Sequence, residues 1–267
     1  MAYLRALILA TVEGATEFLP VSSTGHLIIV EAIMSLTDDA AFDNAFLVII
    51  QLPAIGAVVV YFWKDLWPPR TAGQKRTEIY AMWLKILAAF APAILLGALL
   101  EESLERYLFF PVPVAIALIL GGVIILVVER AHLKVTIPTV ADLTFRTAIL
   151  IGLFQCVAMI PGTSRSGATI VGAMILGLSR AAAAEFSFFL AIPTMTGAFA
   201  YDLYQNRHVI TFDGAAAIAI GFIAAFVAAL VVVRTLLGFV SRHGFTPFAV
   251  WRLIVGFAGL LGLWLLG

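Results

Sequence analysis

Six apolar runs, centred on residues 44–63, 80–100, 112–128, 186–204, 214–236 and 247–266, are each near the roughly 20 residues that carry an α-helix across a bilayer. A backbone in hydrocarbon must satisfy its own N–H and C=O groups, so spans of this length are read as helices. Only 12% of the 267 residues are charged, against about 25% in an ordinary soluble domain, and the mean hydropathy is +1.08. The expected fold class is an all-α polytopic membrane protein. The formal net charge is zero, which with the lack of a basic stripe argues against a nucleic-acid partner. Cys156 is the one cysteine; it can form no internal disulfide, belongs to no zinc-like spacing and reads as a small packing residue. Glu13 and Glu17 interrupt the apolar stretch after Arg5, so no cleaved signal peptide is expected and the mature chain is read as starting at Met1.

Two polar islands stand out against this background. The first is Glu13-Gly-Ala-Thr-Glu17-Phe-Leu-Pro-Val-Ser22-Ser23-Thr24-Gly-His26, and the second is Pro161-Gly-Thr163-Ser164-Arg165-Ser166-Gly-Ala-Thr169. Ionisable groups in a membrane segment are costly and are functional candidates by default. One island is acidic and the other basic, which suggests a shared site for a metal and an anion.

The islands also mark an internal duplication. Pro20 and Pro161 each precede a hydroxyl-rich turn, Phe46 and Pro53 recur as Phe186 and Pro193, and Pro111 recurs as Pro247. Each half then holds one Pro, Gly and Ser/Thr-interrupted segment, about 4–36 and about 147–178, followed by three full spans. The halves are taken as 1–140 and 141–267 of one integrated membrane domain. Irregular backbone at membrane depth is tolerated only when buried in protein or lining a cavity, so the interrupted segments are expected to be re-entrant helix-loop-helix hairpins. Three spans per half invert the second copy, giving an inverted-topology repeat whose broken helices meet near the midplane. With the amino terminus outside, Lys64, Arg70, Lys75, Arg76, Arg130, Lys134, Arg146, Arg180, Arg234 and Arg242 fall inside, against Arg5, Arg106 and Arg207 outside. That bias fits the positive-inside rule. Lys85 is expected near a span end, where it can snorkel, whereas Arg165 and Arg252 need partners within the protein.

Glu13 and Glu17, four apart, share one face of a helix. Two carboxylates in an apolar setting repel unless they share a cation. A hard divalent ion such as Mg²⁺ or Ca²⁺ meets that demand, a solvated amphipathic face being the plainer alternative. Among Ser22, Ser23, Thr24 and His26, one hydroxyl is a candidate nucleophile with His26 as base or acid; the same groups could serve only to satisfy broken backbone. The Thr163–Thr169 run, with Ser164, Ser166 and Thr169, offers hydroxyls and free N–H groups at a half-helix start, which attracts phosphate. Arg165 adds a planar fork matched to phosphate oxygens. It is not a Walker loop, lacking the Gly-Lys-Ser/Thr ending. Arg252 reads equally as a second phosphate clamp or as a partner of Glu13 or Glu17. Gln51 is a candidate cavity-lining residue, while Glu185 and Asp202 read as structural.

Both islands, together with Gln155, Ser179-Arg180, Glu185-Phe-Ser-Phe and the Arg252 segment, closely resemble the signature motifs of the BacA-type undecaprenyl-diphosphate phosphatases. The resemblance implies an integral, multi-pass enzyme of the bacterial inner membrane, its active site opening to the periplasmic side. Such an enzyme removes the terminal phosphate of the C55 lipid carrier diphosphate, recycles the carrier for cell-wall synthesis and confers bacitracin resistance. Its partners would be the polyprenyl diphosphate and membrane lipids, and a homodimer is compatible with it. Carried over by position, the acidic motif falls on Glu13 and Glu17, with Glu17 also catalytic. The hydroxyl and histidine positions fall on Ser23, Thr24 and His26, the phosphate motif on Ser164, Arg165 and Thr169, and the last-span arginine on Arg252. The sequence departs from the family pattern after Gln51, where Leu-Pro-Ala-Ile-Gly stands. The acid-phosphatase-like membrane phosphatases share a Ser/Thr-Gly-His element, but their other motifs have no match here. Whether Ser23, Ser164 or a metal-activated water attacks is left open, and the rival expectation is a transporter or flippase of a lipid phosphate or other anion.

Overall fold

Hydrocarbon offers a backbone no partner but itself, and the protein answers with helices throughout. The structure, a computed structural model, describes residues 1–37, 39–67, 73–108, 110–205 and 214–266. Arg70 and Arg207 lie outside the described residues, as does the side chain of Arg106. The helices are α1 (Ala2–Thr16), α2 (Ser23–Ile33), α3 (Ala40–Tyr61), α4 (Trp63–Leu66), α5 (Gly73–Leu108), α6 (Pro111–Arg130), α7 (Phe145–Cys156), α8 (Arg165–Ile175), α9 (Arg180–Gln205), α10 (Ala215–His243) and α11 (Thr246–Leu266). Six of them, within α3, α5, α6, α9, α10 and α11, are long and apolar enough to cross a membrane, and they match the six apolar runs in order. Lys85 lies near the middle of the Lys75–Gly97 span rather than at its end. Pro53 sits inside an unbroken α3, so the Leu-Pro-Ala-Ile-Gly departure leaves that helix continuous.

Of the other five helices, α4 is a single turn after α3, and four come in two pairs, α1–α2 and α7–α8, with 15, 11, 12 and 11 residues. At about 1.5 Å per residue none spans the roughly 30 Å hydrocarbon core. Each pair is broken at a proline-containing turn and restarted by a serine cap. Ser22 has φ 71° and its Oγ accepts from the N–H of Gly25 at 3.3 Å. Ser164 has φ 76° and its Oγ accepts from the N–H of Gly167 at 3.1 Å. Positive φ at a residue other than glycine is strained by about 1–3 kcal/mol and concentrates at functional sites.

The short pairs are held by close helix contacts. α1 packs on α10 and α7 on α5, while α6 lies against α11 and α3 against α9 and α10. A side chain at Gly14 would strike the backbone carbonyl of Ala225 on α10, and one at Gly152 would strike that of Ala89 on α5. Small residues that let backbones approach are a common basis of helix association in membranes. The core beneath the turns is aromatic: Phe18, Phe62, Phe188 and Phe189 are buried and meet mainly edge to face. At the far end, both Glu129 carboxylate oxygens accept from Nε of Arg180 at 3.0 Å, and Oε1 accepts from the N–H of Phe245 at 2.7 Å. This ties the end of α6 to the starts of α9 and α11.

Candidate active site

The two turns bring a hydroxyl and a guanidinium onto one carboxylate. Glu17 follows the last residue of α1, Ser23 is the first residue of α2 and Arg165 is the first residue of α8. Ser23 Oγ donates to Glu17 Oε2 at 2.5 Å, and Arg165 Nη2 donates to Glu17 Oε1 at 3.0 Å. The second terminal nitrogen of Arg165 donates to the carbonyl of Ser187 at 2.8 Å. Its Nη2 also contacts Met195 Sδ, and the guanidinium lies over the ring of Phe18 at 5.6 Å. Both side chains of the Glu17–Arg165 pair are nearly buried, at 11% and 12% exposed. A desolvated pair of this kind holds its geometry tightly, because either partner alone would be an uncompensated charge.

Beside this pair a cleft of about 180 Å³ is lined by Glu17, Ser22, Ser23 and Thr24 from the first turn, Gln51 from α3, Pro161, Gly162, Ser164 and Arg165 from the second turn, and Ala158 and Met195. Thr24 is exposed to it, and Gln51 lines it as its polarity suggested. Ser166 and Thr169 do not line it. The hydroxyl of Ser166 donates to the carbonyl of Leu19 at 2.8 Å and lies 3.0 Å from Ser164 Oγ, joining one turn to the other. Thr169 Oγ1 donates to the carbonyl of Arg165 at 2.9 Å and meets Ser187 Oγ at 2.7 Å.

Glu13 is 1% exposed, and neither carboxylate oxygen has a hydrogen-bond partner in the protein. A bare carboxylate at such a depth calls for a cation or a proton. His26 is not paired with Ser23. Its Nε2 accepts from Trp251 Nε1–H at 2.7 Å, with the two ring planes within 12° of parallel. An indole N–H can only donate, so the imidazole proton sits on Nδ1, which donates to the carbonyl of Ser22 at 2.8 Å.

Arg252 departs from both expectations for it. It is wholly buried and meets neither Glu13 nor Glu17. Nε donates to the carbonyl of Leu118, Nη1 to those of Pro20 and Thr163, and Nη2 to those of Ala117 and Gly162, at 2.9–3.2 Å. An arginine has five N–H donors, and all five are used on backbone. As placed, the side chain has no donor left for a phosphate; it binds the two turns to each other and to α6. Phe18, Ser187, Met195 and Trp251 were not anticipated as site residues. The one signal available for Ser187 was a lone hydroxyl in the apolar Glu185-Phe-Ser-Phe stretch.

A helical membrane protein that gathers an acid, a hydroxyl and a guanidinium at a cleft between two broken helix pairs is equipped for anion chemistry at a lipid boundary. Residues 6–258 match the profile of the bacitracin resistance protein BacA, and the chain belongs to that family. It is 49% identical over 265 residues to the undecaprenyl-diphosphatase of Sinorhizobium fredii, covering 99% of this chain and 98% of the relative. It is also 49% identical over 260 residues to the undecaprenyl-diphosphatase of Rhodopseudomonas palustris, covering 97% of each. To undecaprenyl-diphosphatase 1 of Agrobacterium fabrum it is 47% identical over 265 residues, again covering 99% and 98%.

Proposed function

We propose that this chain hydrolyses undecaprenyl diphosphate to undecaprenyl phosphate and inorganic phosphate in the bacterial inner membrane, so recycling the carrier for cell-wall synthesis and conferring bacitracin resistance. The observation that carries the chemical reading is the single carboxylate of Glu17, held on one oxygen by Ser23 Oγ–H and on the other by Arg165. In the proposed sequence, Ser23 Oγ attacks the terminal phosphorus and its proton passes to Glu17 Oε2. The bond from phosphorus to the bridging oxygen breaks and undecaprenyl phosphate leaves. Water then attacks the phosphoserine, and the proton held by Glu17 returns to Ser23 Oγ as inorganic phosphate departs. Arg165 stabilises the charge that spreads over the transferred phosphoryl oxygens. Ser164, at the start of α8, and Thr24 present hydroxyls to the same cleft. His26, bonded on both nitrogens, holds the Ser22 turn in this reading.

A divalent cation fits here on the chemistry of Glu13, whose two buried, unpartnered oxygens are suited to Mg²⁺ or Ca²⁺. Glu13 and Glu17 would hold it, and the ion would neutralise diphosphate charge. We further read the two short helix pairs as re-entrant hairpins of an inverted repeat, 1–140 and 141–267. Support comes from the paired features: Ser22 with Ser164, Gly14 on α10 with Gly152 on α5, and Pro53 in α3 with Pro193 in α9. The lysine and arginine distribution supports an amino terminus on the outer side, and in this reading the cleft opens to the periplasm.

The test is phosphate release from purified, detergent-solubilised protein, where no gradient exists and a pure transporter or flippase would release none. Trapping with labelled substrate should place phosphate on Ser23. Label on Ser164 would reverse the assignment, and near-normal turnover by Ser23→Ala would favour direct attack by water.

A further inference from the structure

Arg165 is aimed by a closed ring of hydrogen bonds that reaches it from α9. Its Nη1 donates to the carbonyl of Ser187 at 2.8 Å and approaches Ser187 Oγ at 3.4 Å. Ser187 Oγ meets Thr169 Oγ1 at 2.7 Å, and Thr169 Oγ1 donates to the carbonyl of Arg165 itself at 2.9 Å. Each hydroxyl has one proton. Thr169 spends its proton on the Arg165 carbonyl, so Ser187 must donate to Thr169, which leaves the lone pairs of Ser187 Oγ facing the guanidinium. Ser187 and Thr169 are both 0% exposed, where no water can stand in for a missing partner. Neither hydroxyl lines the cleft.

We propose that Ser187, with Thr169 behind it, is a positioning residue for the phosphate-binding arginine. The ring fixes the rotation of the guanidinium about its long axis. One terminal nitrogen is then pinned to α9 while the other reaches Glu17, so the plane of the guanidinium is held in one orientation at the wall of the cleft. A fork serves transition-state charge only if it is pre-oriented. The inference rests on the assignment of Arg165 to the substrate phosphate.

The experiment is a double-mutant cycle on purified protein in detergent, with undecaprenyl diphosphate as substrate and unfolding temperature measured alongside. Ser187→Ala keeps the main-chain carbonyl but breaks the ring, and should lower kcat/KM about tenfold, the scale of one hydrogen bond to a charged group. The loss should fall mainly on kcat, and Ser187→Thr, which retains the hydroxyl, should recover most of it. In an Arg165→Lys background, where the fork is already lost, the same Ser187→Ala change should cost less than about threefold, because two residues in one network do not add. Equal losses in both backgrounds would make Ser187 a merely structural residue and overturn the proposal. So would wild-type activity of Ser187→Ala beside a damaged Arg165→Lys, and in that case the phosphate reading of Arg165 would survive. Full activity of Arg165→Lys would overturn both.

Discussion

Arg252→Lys isolates what the buried arginine of α11 does, because it retains the charge and changes only the geometry of donation. The guanidinium serves five carbonyls on three parts of the chain, the first turn, the second turn and the middle of α6. A lysine ammonium has three N–H donors on one atom, so at least two of those carbonyls lose their partner. Each buried carbonyl left without a donor costs about 1–3 kcal/mol, and the variant should therefore lose about 2–6 kcal/mol of stability. At about 2–4 °C per kcal/mol for large domains, the unfolding temperature should fall by roughly 4–24 °C. The measurement is thermal unfolding of the detergent-solubilised protein, followed by tryptophan fluorescence and by loss of the monodisperse species. Activity at a temperature where the variant stays folded should drop mainly in kcat, since under the proposed mechanism both turns carry reacting groups and both are loosened. If instead the unfolding temperature stays within about 2 °C and KM for the diphosphate rises tenfold or more, Arg252 reaches the substrate and the reasoning fails.

Glu17→Gln keeps the shape but neither accepts the Ser23 proton nor balances Arg165; kcat should fall at least about a hundredfold, and steady-state phosphate release will show it. Excess chelator should abolish hydrolysis and Glu13→Gln should weaken the metal dependence, whereas full activity in excess EDTA would remove the cation from the reaction. His26→Asn keeps an N–H near the Ser22 carbonyl and should retain kcat within about tenfold; a loss beyond about a hundredfold would return the imidazole to proton transfer.

The spans were legible because their determinant is local: some 20 apolar residues in a row, with no polar backbone to spare, allow few conformations. The two polar islands were legible for the converse reason, as charges that hydrocarbon does not tolerate without a role. What they contact was not. Whether Ser23 meets His26 three residues on or Glu17 six residues back depends on how the chain turns between Pro20 and Ser23, and there Ser22 adopts a positive φ that no propensity for serine would suggest. Trp251, which caps His26, is 225 residues away in sequence, and no periodicity connects the two. Arg252 shows a different limit. Burial of an arginine was readable from the apolar span around it, but phosphate, carboxylate and carbonyl oxygens all satisfy the same donors, and only the neighbouring backbone decides among them.

The two halves put unlike residues at like positions. Ser22 and Ser164 are both strained caps, and the residue after each opens the following short helix, Ser23 in one half and Arg165 in the other. Those two side chains take the two oxygens of one carboxylate, Glu17. Under the proposed duplication, an ancestral turn that presented the first residue of a half-helix to the centre would present it twice, once from each side. Two identical residues there would compete for one role or repel. In the proposed mechanism a hydroxyl on one side and a guanidinium on the other divide the work, one group to attack phosphorus and one to hold its oxygens. Ser166 and Arg252 then matter as much as the reacting groups, because they bond one turn to the other and so keep the attacking atom and the phosphate-binding fork in register.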